Sequence, residues 1–335
     1  MRVLITGGTG FIGQHLTRAA LRRDWQVTLL VRRPDSVVAR KLADEGASIV
    51  LGSITDRLTL QAAFEIAEPE MYFHNAGWYE LGIPRRARRR MWAVNVEGTE
   101  NALTMAAEHS VSKVIYTSCT TALGDTEGEL VDETFTRSTK PVSYYEHTKT
   151  EAHLLAVRHQ TAGEPVVIAC PAQVVGPGDH SPFGHFARQF VRGALPPVIW
   201  APEGAFTYAH VEDVAEGLVL CGSQGQPREI YFLAGHVLTN RDLMRVWRDA
   251  VGRRPPFIWL PRSLAMAQAR IAAPLLRLFG RQAFMSPEMV RSSFLSFQYR
   301  SQKSVDQLGV VFRPASQAWE DTLREEAVRA GVDRV

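Results

Sequence analysis

Cysteine is scarce in this chain. Its 335 residues contain three, at positions 119, 170 and 221, each embedded in an apolar stretch. So few, and an odd number, exclude a disulfide framework and point to a reducing compartment, the cytoplasm. Long apolar runs are missing as well, since no stretch reaches the roughly 18 uninterrupted apolar residues of a membrane-spanning helix. No integral membrane segment is expected. Leu264 to Phe279 comes nearest, but Gln268, Arg270 and Arg277 interrupt it. It reads first as a packed amphipathic helix or a pocket wall, and second as a helix on a membrane surface. The opening strand-like run starts at Met1, which leaves no room for a signal peptide. Charge of one sign is lacking too: 38 Lys and Arg stand against 35 Asp and Glu, a net +3. Over this length that is too small to argue for nucleic acid, and a small-molecule partner is expected instead. The one dense basic run, arginines 85, 86, 88, 89 and 90, reads as the solvated start of a helix, with a phosphate-bearing substrate or an anionic surface as the sharper alternative. No metal is expected, and there is no internal repeat or low-complexity tail.

What is present begins in the first thirteen residues. A short apolar run ending at Thr6 leads directly into Gly7, Gly10 and Gly13. Glycines at this spacing let the backbone turn sharply off a strand and approach a pyrophosphate, and the third lets the following helix, about Gln14 to Arg23, pack on the sheet. The positive N-terminal end of that helix then faces the phosphates. Because the triplet follows a strand and opens a helix, it is read as a dinucleotide-binding turn, with Gly7, Thr9, Gly10, Phe11, Ile12 and Gly13 as contacts.

Strand-like and helix-like patterns then alternate. Val27 to Val31, Ser48 to Leu51, Met71 to Phe73, Lys113 to Thr117 and Pro165 to Ala169 are short apolar or β-branched runs. Helical stretches lie between them, near Ser36 to Glu45, Arg57 to Ala67, Arg88 to His109 and Tyr144 to Gln160. This predicts an α/β fold, a doubly wound parallel sheet (Rossmann fold) with right-handed crossovers, and ligand outside the carboxyl ends of the strands. After Pro171, prolines and glycines mark loops and short elements that can shape a pocket. A helix is expected near Val211 to Cys221, a strand over Arg228 to Leu233, and mostly helix from about Asn240. The predicted division is a dinucleotide-binding domain over 1–171, to which 206–227 returns. A smaller mixed, mostly helical substrate-binding region takes 172–205 and 228–335.

Two sites carry chemistry. At the end of the second strand an acidic residue would bind the ribose diol of NAD, whereas arginine would receive the extra phosphate of NADP. Here Val31-Arg32-Arg33-Pro34 offers no acid and two guanidiniums, so NADP(H) is favoured and NAD(H) stays possible. The second site is Tyr145-Glu146-His147-Thr148-Lys149. Positions four apart share a helix face, so Lys149 is expected over Tyr145, lowering the pKa of a phenol that exchanges a proton with a carbonyl or alcohol oxygen.

Thr6 to Gly13, Asn95-Val96-Glu97-Gly98-Thr99, the pair Tyr145 and Lys149, Pro171 followed by Val175-Gly176-Pro177-Gly178-Asp179, and His210 to Ala215 all match landmarks of one family. On these motifs the chain resembles an extended short-chain dehydrogenase/reductase, the NAD-dependent epimerase/dehydratase family. The resemblance covers nearly the whole chain and loosens after about residue 240. It implies that Tyr145 is the acid/base and that Lys149 holds the nicotinamide ribose. It places Asn75, Ala76 and Gly77 along the cofactor and the segment after Pro171 by the nicotinamide. Asn95, His210 and Asp213 read as local architecture. A homodimer through helices of the first domain is a further family expectation.

Three departures stand out. The Ser or Thr that usually hydrogen-bonds the reacting oxygen falls on Cys119, a poor donor. Either neighbour, Ser118 or Thr120, then takes over, with Thr120 preferred, or oxyanion stabilisation is weakened. Ser53, with Ile54, stands where the family commonly places an adenine-contacting Asp, and Asn75 replaces a smaller or aliphatic residue. Val31-Arg32-Arg33-Pro34 resembles the cofactor segment of dihydroflavonol-reductase-like members, which implies NADPH-dependent reduction of a ketone or aldehyde. Trp78, Tyr79, Tyr144, Phe183 and Phe186, with Thr121 and Gln173, are the substrate candidates. The alternatives are a nucleotide-sugar epimerase using His180, His185, Arg188 or Arg192 on a diphosphate, a hydroxysteroid-dehydrogenase-like oxidation, and a non-catalytic dinucleotide sensor.

Overall fold

The computed structural model describes residues 1–278 and 285–332. Phe279, the end of the interrupted apolar stretch, lies outside the described residues, as do 333–335 of the expected C-terminal region. In chain order, β1 (Arg2–Thr6), α1 (Phe11–Leu21), β2 (Gln26–Val31), α2 (Val37–Asp44), β3 (Ser48–Leu51), α3 (Arg57–Ala67) and β4 (Met71–His74) alternate strand and helix. Then α4 (Arg85–Trp92) runs through a π-helical turn, Ala93–Glu97, into α5 (Gly98–Glu108). The single helix expected over 88–109 is thus two helices joined by a widened turn, a common device beside functional sites. β5 (Lys113–Thr117), α6 (Tyr144–Thr161) and β6 (Val166–Pro171) complete the alternation. The rest is β7 (Gln173–Val175), α7 (Pro182–Val191), β8 (Val198–Trp200), β9 (Ala205–His210), α8 (Val211–Ser223), β10 (Ile230–Leu233), β11 (His236–Thr239) and α9 (Asn240–Val251). It continues through β12 (Ile258–Leu260), α10 (Arg262–Leu278), α11 (Pro287–Ser293), β13 (Ser296–Phe297), α12 (Gln302–Leu308) and α13 (Ala315–Ala330).

Among the described residues a seven-stranded parallel sheet runs in the order β10-β6-β5-β4-β1-β2-β3. From β1 the chain extends the sheet to one side with β2 and β3, then crosses to the other side with β4. The loops after β1 and β4 therefore part, and a crevice opens between them. Register brings the strand ends level, with Thr6 opposite His74, His74 opposite Tyr116 and Thr117 opposite Ala169. Val3 and Ile5 enter one core and Leu4 the other. Burial on both faces is why these strands read as continuous apolar runs.

The structure shifts two of the predicted boundaries. Ile230–Leu233, assigned to the C-terminal region, pairs in parallel with β6 and extends the central sheet, because its apolar side chains bury there. Residues 206–210, expected to return with 206–227, instead lie in a small sheet formed by β7, β9, β11 and β13. The helix that follows, α8, does return and packs along α1. In the C-terminal half, α13 packs on α7 and α9, with the buried rings of Trp247 and Trp319 5.1 Å apart. Arg313 ties this half back to α8, donating to Asp213 at 2.8 Å.

Candidate active site

The site starts where β1 ends. Gly7 has a left-handed φ of +74°, and a Cβ there would lie 2.7 Å from Ala76 Cα. At Gly13 a Cβ would fall 2.0 Å from the Gly7 carbonyl oxygen. Backbone packed on backbone holds this turn, so no side chain can be added without moving it. Gly13 supports the turn and does not reach the cavity, whereas Gly7, Thr9, Gly10, Phe11 and Ile12 line a cleft of about 860 Å³. The first N–H groups of α1 receive no side-chain cap from Gly10, leaving donors and the positive helix end for an anion.

Arg32 lines the cleft at the end of β2, and Ser53 and Ile54 line it after β3; Arg33 is exposed off the wall. Among the described residues the wall holds one carboxylate, Asp179, which accepts from Ser181 N–H at 2.7 Å and Ser181 Oγ at 2.8 Å. Burial raises its pKa. Asn75, Ala76 and Gly77 form the facing wall, and Asn75 Nδ2 donates to the Gly7 carbonyl at 3.4 Å. Behind them His74 is fully buried, with Nδ1 2.9 Å from Thr6 Oγ1 and Nε2 3.1 Å from Thr99 Oγ1. Burial, reinforced by Lys149, lowers its pKa to about 3. It is a neutral tie between β1, β4 and α5. Asn95, in the π-helical turn, accepts from Trp78 N–H at 2.7 Å and donates to Thr148 Oγ1 at 3.0 Å. It thereby fastens the loop after β4 to α6. His210 accepts from Glu212 N–H at 3.2 Å and caps α8.

Ser143 caps α6 by accepting from Glu146 N–H at 3.1 Å, which sets Tyr145 in the first turn. The Tyr145 hydroxyl lies 3.8 Å from Cys119 Sγ, and its ring meets Tyr79 edge-on with centroids 4.7 Å apart. Burial pushes this phenol well above the ordinary range, with Cys119 and Tyr79 adding to the effect. Lys149 is 7% exposed and points to the end of β5, donating to the Thr117 carbonyl at 3.2 Å and Tyr116 Oη at 3.4 Å. Burial works against its charge, but Tyr116 and Cys119 outweigh it, and the pKa lies above the ordinary lysine value. The expected lowering of the Tyr145 pKa by Lys149 is not found: burial is the largest influence on the phenol and raises its pKa, and the Lys149 ammonium donates to the strand-end carbonyl of Thr117.

After β5 the chain is extended at Cys119 (φ −168°, ψ 158°) and then coils into a short 3₁₀ turn, Thr120–Ala122. Successive side chains consequently point apart. Ser118, Cys119 and Thr121 line the cleft, while Thr120, preferred on sequence grounds as the replacement donor, is 4% exposed and off the wall. Ser118 Oγ is already within 2.9 Å of His153 Nδ1. Cys119 is thus the side chain whose polar atom meets Tyr145.

Tyr79, Gln173 and Phe183 line the cleft together with Pro171. Trp78 and Phe186 do not: the Trp78 indole donates to Glu80 at 3.1 Å and faces Arg90, and Phe186 packs against the core. Of the residues proposed to meet a diphosphate, His180 lines the wall, whereas Arg188 donates to the Asp179 carbonyl at 2.7 Å and to Glu326 at 3.0 Å. His185 and Arg192 lie off the wall. Leu81, Arg90, Phe206 and Ser292 also line the cleft and belong to no local motif. Only tertiary packing brings them in. The glycine turn, the uncapped helix end and Arg32 fit an anionic dinucleotide. Tyr145 fits a reacting oxygen at the cleft's other end.

The comparisons identify the family and the fold in which this cleft lies. The family described as "NAD dependent epimerase/dehydratase family" matches residues 3–234. A putative dihydroflavonol 4-reductase of Synechocystis sp. is 27% identical over 334 residues, covering 95% of this chain and 92% of the relative. A 4-hydroxy-2-methyl-3-oxo-4-farnesyl-3,4-dihydroquinoline-1-oxide ketoreductase of Stigmatella aurantiaca is 27% identical over 333 residues, covering 97% and 96%. Among solved structures, that of gox2253 superposes with a TM-score of 0.82 at 30% identity, covering 99% of each chain.

Proposed function

The chain belongs to the NAD dependent epimerase/dehydratase family of extended short-chain dehydrogenases/reductases, and from that premise we propose that it is an NADPH-dependent reductase of an apolar ketone or aldehyde. The observation that carries the reading is the surroundings of the Tyr145 hydroxyl, a phenol at the end of the cleft lined by Tyr79, Phe183 and Phe206. A phenol at that position can hand its proton to the oxygen of a carbonyl that receives a hydride.

The residues divide the work. The α1 N–H groups would hold the pyrophosphate, and Arg32 would pair with a 2′-phosphate. Ser53 and Ile54 would border the adenine. When bound, a nicotinamide dinucleotide supplies the hydride that reduces the carbonyl carbon. Tyr145 gives its proton to the oxygen as the C–O double bond becomes a single bond, so hydride and proton together yield the alcohol. Lys149, anchored on Thr117, keeps a positive charge beside the reacting centre. Cys119 stands where the oxygen needs a second donor and supplies a weak one. Tyr79, Phe183 and Phe206 give that end of the cleft an apolar wall suited to an aromatic or hydrocarbon-rich substrate. The reductase and ketoreductase names of the two relatives support the same reading.

The test is to denature freshly purified protein, identify any released nucleotide, and titrate the nucleotide-free protein with NADPH and NADH. Exchangeable binding that prefers NADPH is expected. NAD retained in near-stoichiometric amount would overturn the reading and direct the search to epimerase substrates.

A further inference from the structure

α10 is built inside out. The face that packs on the protein is formed by Ala265, Ala269 and Ala273, all buried. The opposite face carries Leu264, Ile271, Leu275 and Leu278, which are 56%, 66%, 51% and 78% exposed. A surface helix ordinarily turns its larger apolar residues inward, so this stripe has no account in the folding of the chain. Phe257 and Ile258, on the segment that enters α10, are exposed as well. The charge around the stripe is one-sided: between Asp249 and Glu288 the sequence has six arginines, at 253, 254, 262, 270, 277 and 281, and no acidic residue. Removing that segment would leave the remainder of the chain net negative.

We propose that α10 is a docking helix for an anionic lipid surface. At 17 residues it is about 25 Å long, and among the described residues no helix is long and apolar enough to cross a membrane. Arg277 turns back to donate to the Gly82 carbonyl and Arg262 lies over the Phe294 ring, but Arg262 and Arg270 are exposed, and an exposed apolar stripe with exposed guanidiniums on its helix is the pattern of a helix lying in the headgroup plane, apolar side chains down and guanidiniums on phosphates. A second copy of this chain fits less well, because a two-fold contact through the stripe would bring the same arginine-rich segments together without a single carboxylate from them. The helix also packs on α11, and its buried Ala265 and Ala269 share a cluster with Leu81. α11 contributes Ser292 to the cleft, and Leu81 lines it too. Docking through α10 would therefore set the substrate end of the cleft beside the lipid. The proposal stands apart from the assignment of the reaction.

The experiment is co-sedimentation of the full chain with vesicles of phosphatidylcholine, with and without phosphatidylglycerol. Three proteins are compared: wild type, L264Q/I271Q/L275Q/L278Q, and R262E/R270E. The first variant changes only exposed apolar side chains, and thermal melting with NADPH titration confirms that it is folded. Wild type is expected to sediment with phosphatidylglycerol vesicles, less so in high salt. Both variants are expected to lose more than about tenfold in partition coefficient. Equal sedimentation of wild type and variants, or none by wild type, overturns the proposal. So does a wild-type dimer in analytical ultracentrifugation that the first variant dissociates without any lipid binding, which would assign the stripe to a second copy.

Discussion

The two ends of the cleft are made of different material. At the proposed dinucleotide end part of the wall is backbone, from a turn whose glycines at 7 and 13 admit no Cβ and a helix start without a side-chain cap. At the substrate end the wall is side chains from segments scattered through the chain, including Tyr79, Thr121, Phe183, Phe206 and Ser292. Backbone presents the same N–H groups whatever the surrounding sequence, so under the proposed reading the first end would recognise what all members of a family share. Side chains can be exchanged one at a time without disturbing the sheet, so the proposed reading puts substrate choice at the second end.

Substitutions at the two ends should separate these roles. The largest effect is expected at Tyr145. Tyr145→Phe should lower kcat about a thousandfold while NADPH affinity, followed by fluorescence titration, changes little. A sensor protein would instead keep its activity. The pH profile sharpens the point: because the phenol is the active form and its pKa is raised, reduction should not decline until pH exceeds the ordinary phenol range. A decline near neutral pH would mean that a different group supplies the proton.

Next comes Gly13→Ala. Its new methyl would strike the Gly7 carbonyl, and the strain should cost about 1–3 kcal/mol of stability and most of the dinucleotide affinity. Calorimetric melting with cofactor titration measures both, and unchanged NADPH binding would break the claim that backbone builds this end. Arg32→Ala should weaken NADPH about tenfold more than NADH, the difference made by one charged hydrogen-bonded pair; equal losses would remove Arg32 as the reader of the 2′-phosphate. The smallest effect is expected at Cys119. Cys119→Ser places a stronger donor beside Tyr145 and should raise kcat severalfold with little change in NADPH affinity. A fall in kcat would show that the thiol serves packing rather than the reacting oxygen.

The ease of reading the sequence follows the same division. β1, the glycine turn and the start of α6 were legible because local rules dictate them: a strand, a turn that only glycine tolerates, and a serine cap ahead of Tyr145. The residues after β5 were not. Side chains there change direction with each residue, and the 3₁₀ turn that puts Cys119 and Thr121 on the wall while burying Thr120 leaves no periodic trace. Lys149 was legible as a functional lysine, but its direction was not. The Thr117 carbonyl that accepts from it lies 32 residues earlier in the chain.

The order of apolar runs, glycines and caps by itself determined the alternation of strands and helices, the glycine turn after β1 and the family, since each is written in short motifs whose residues are neighbours in the chain. Only the tertiary structure decided which side chains meet Tyr145, that Ile230–Leu233 joins the central sheet, and that α10 buries alanines while exposing leucines. Those outcomes depend on contacts between distant segments, where packing and burial rather than local propensity choose among the faces a chain can present.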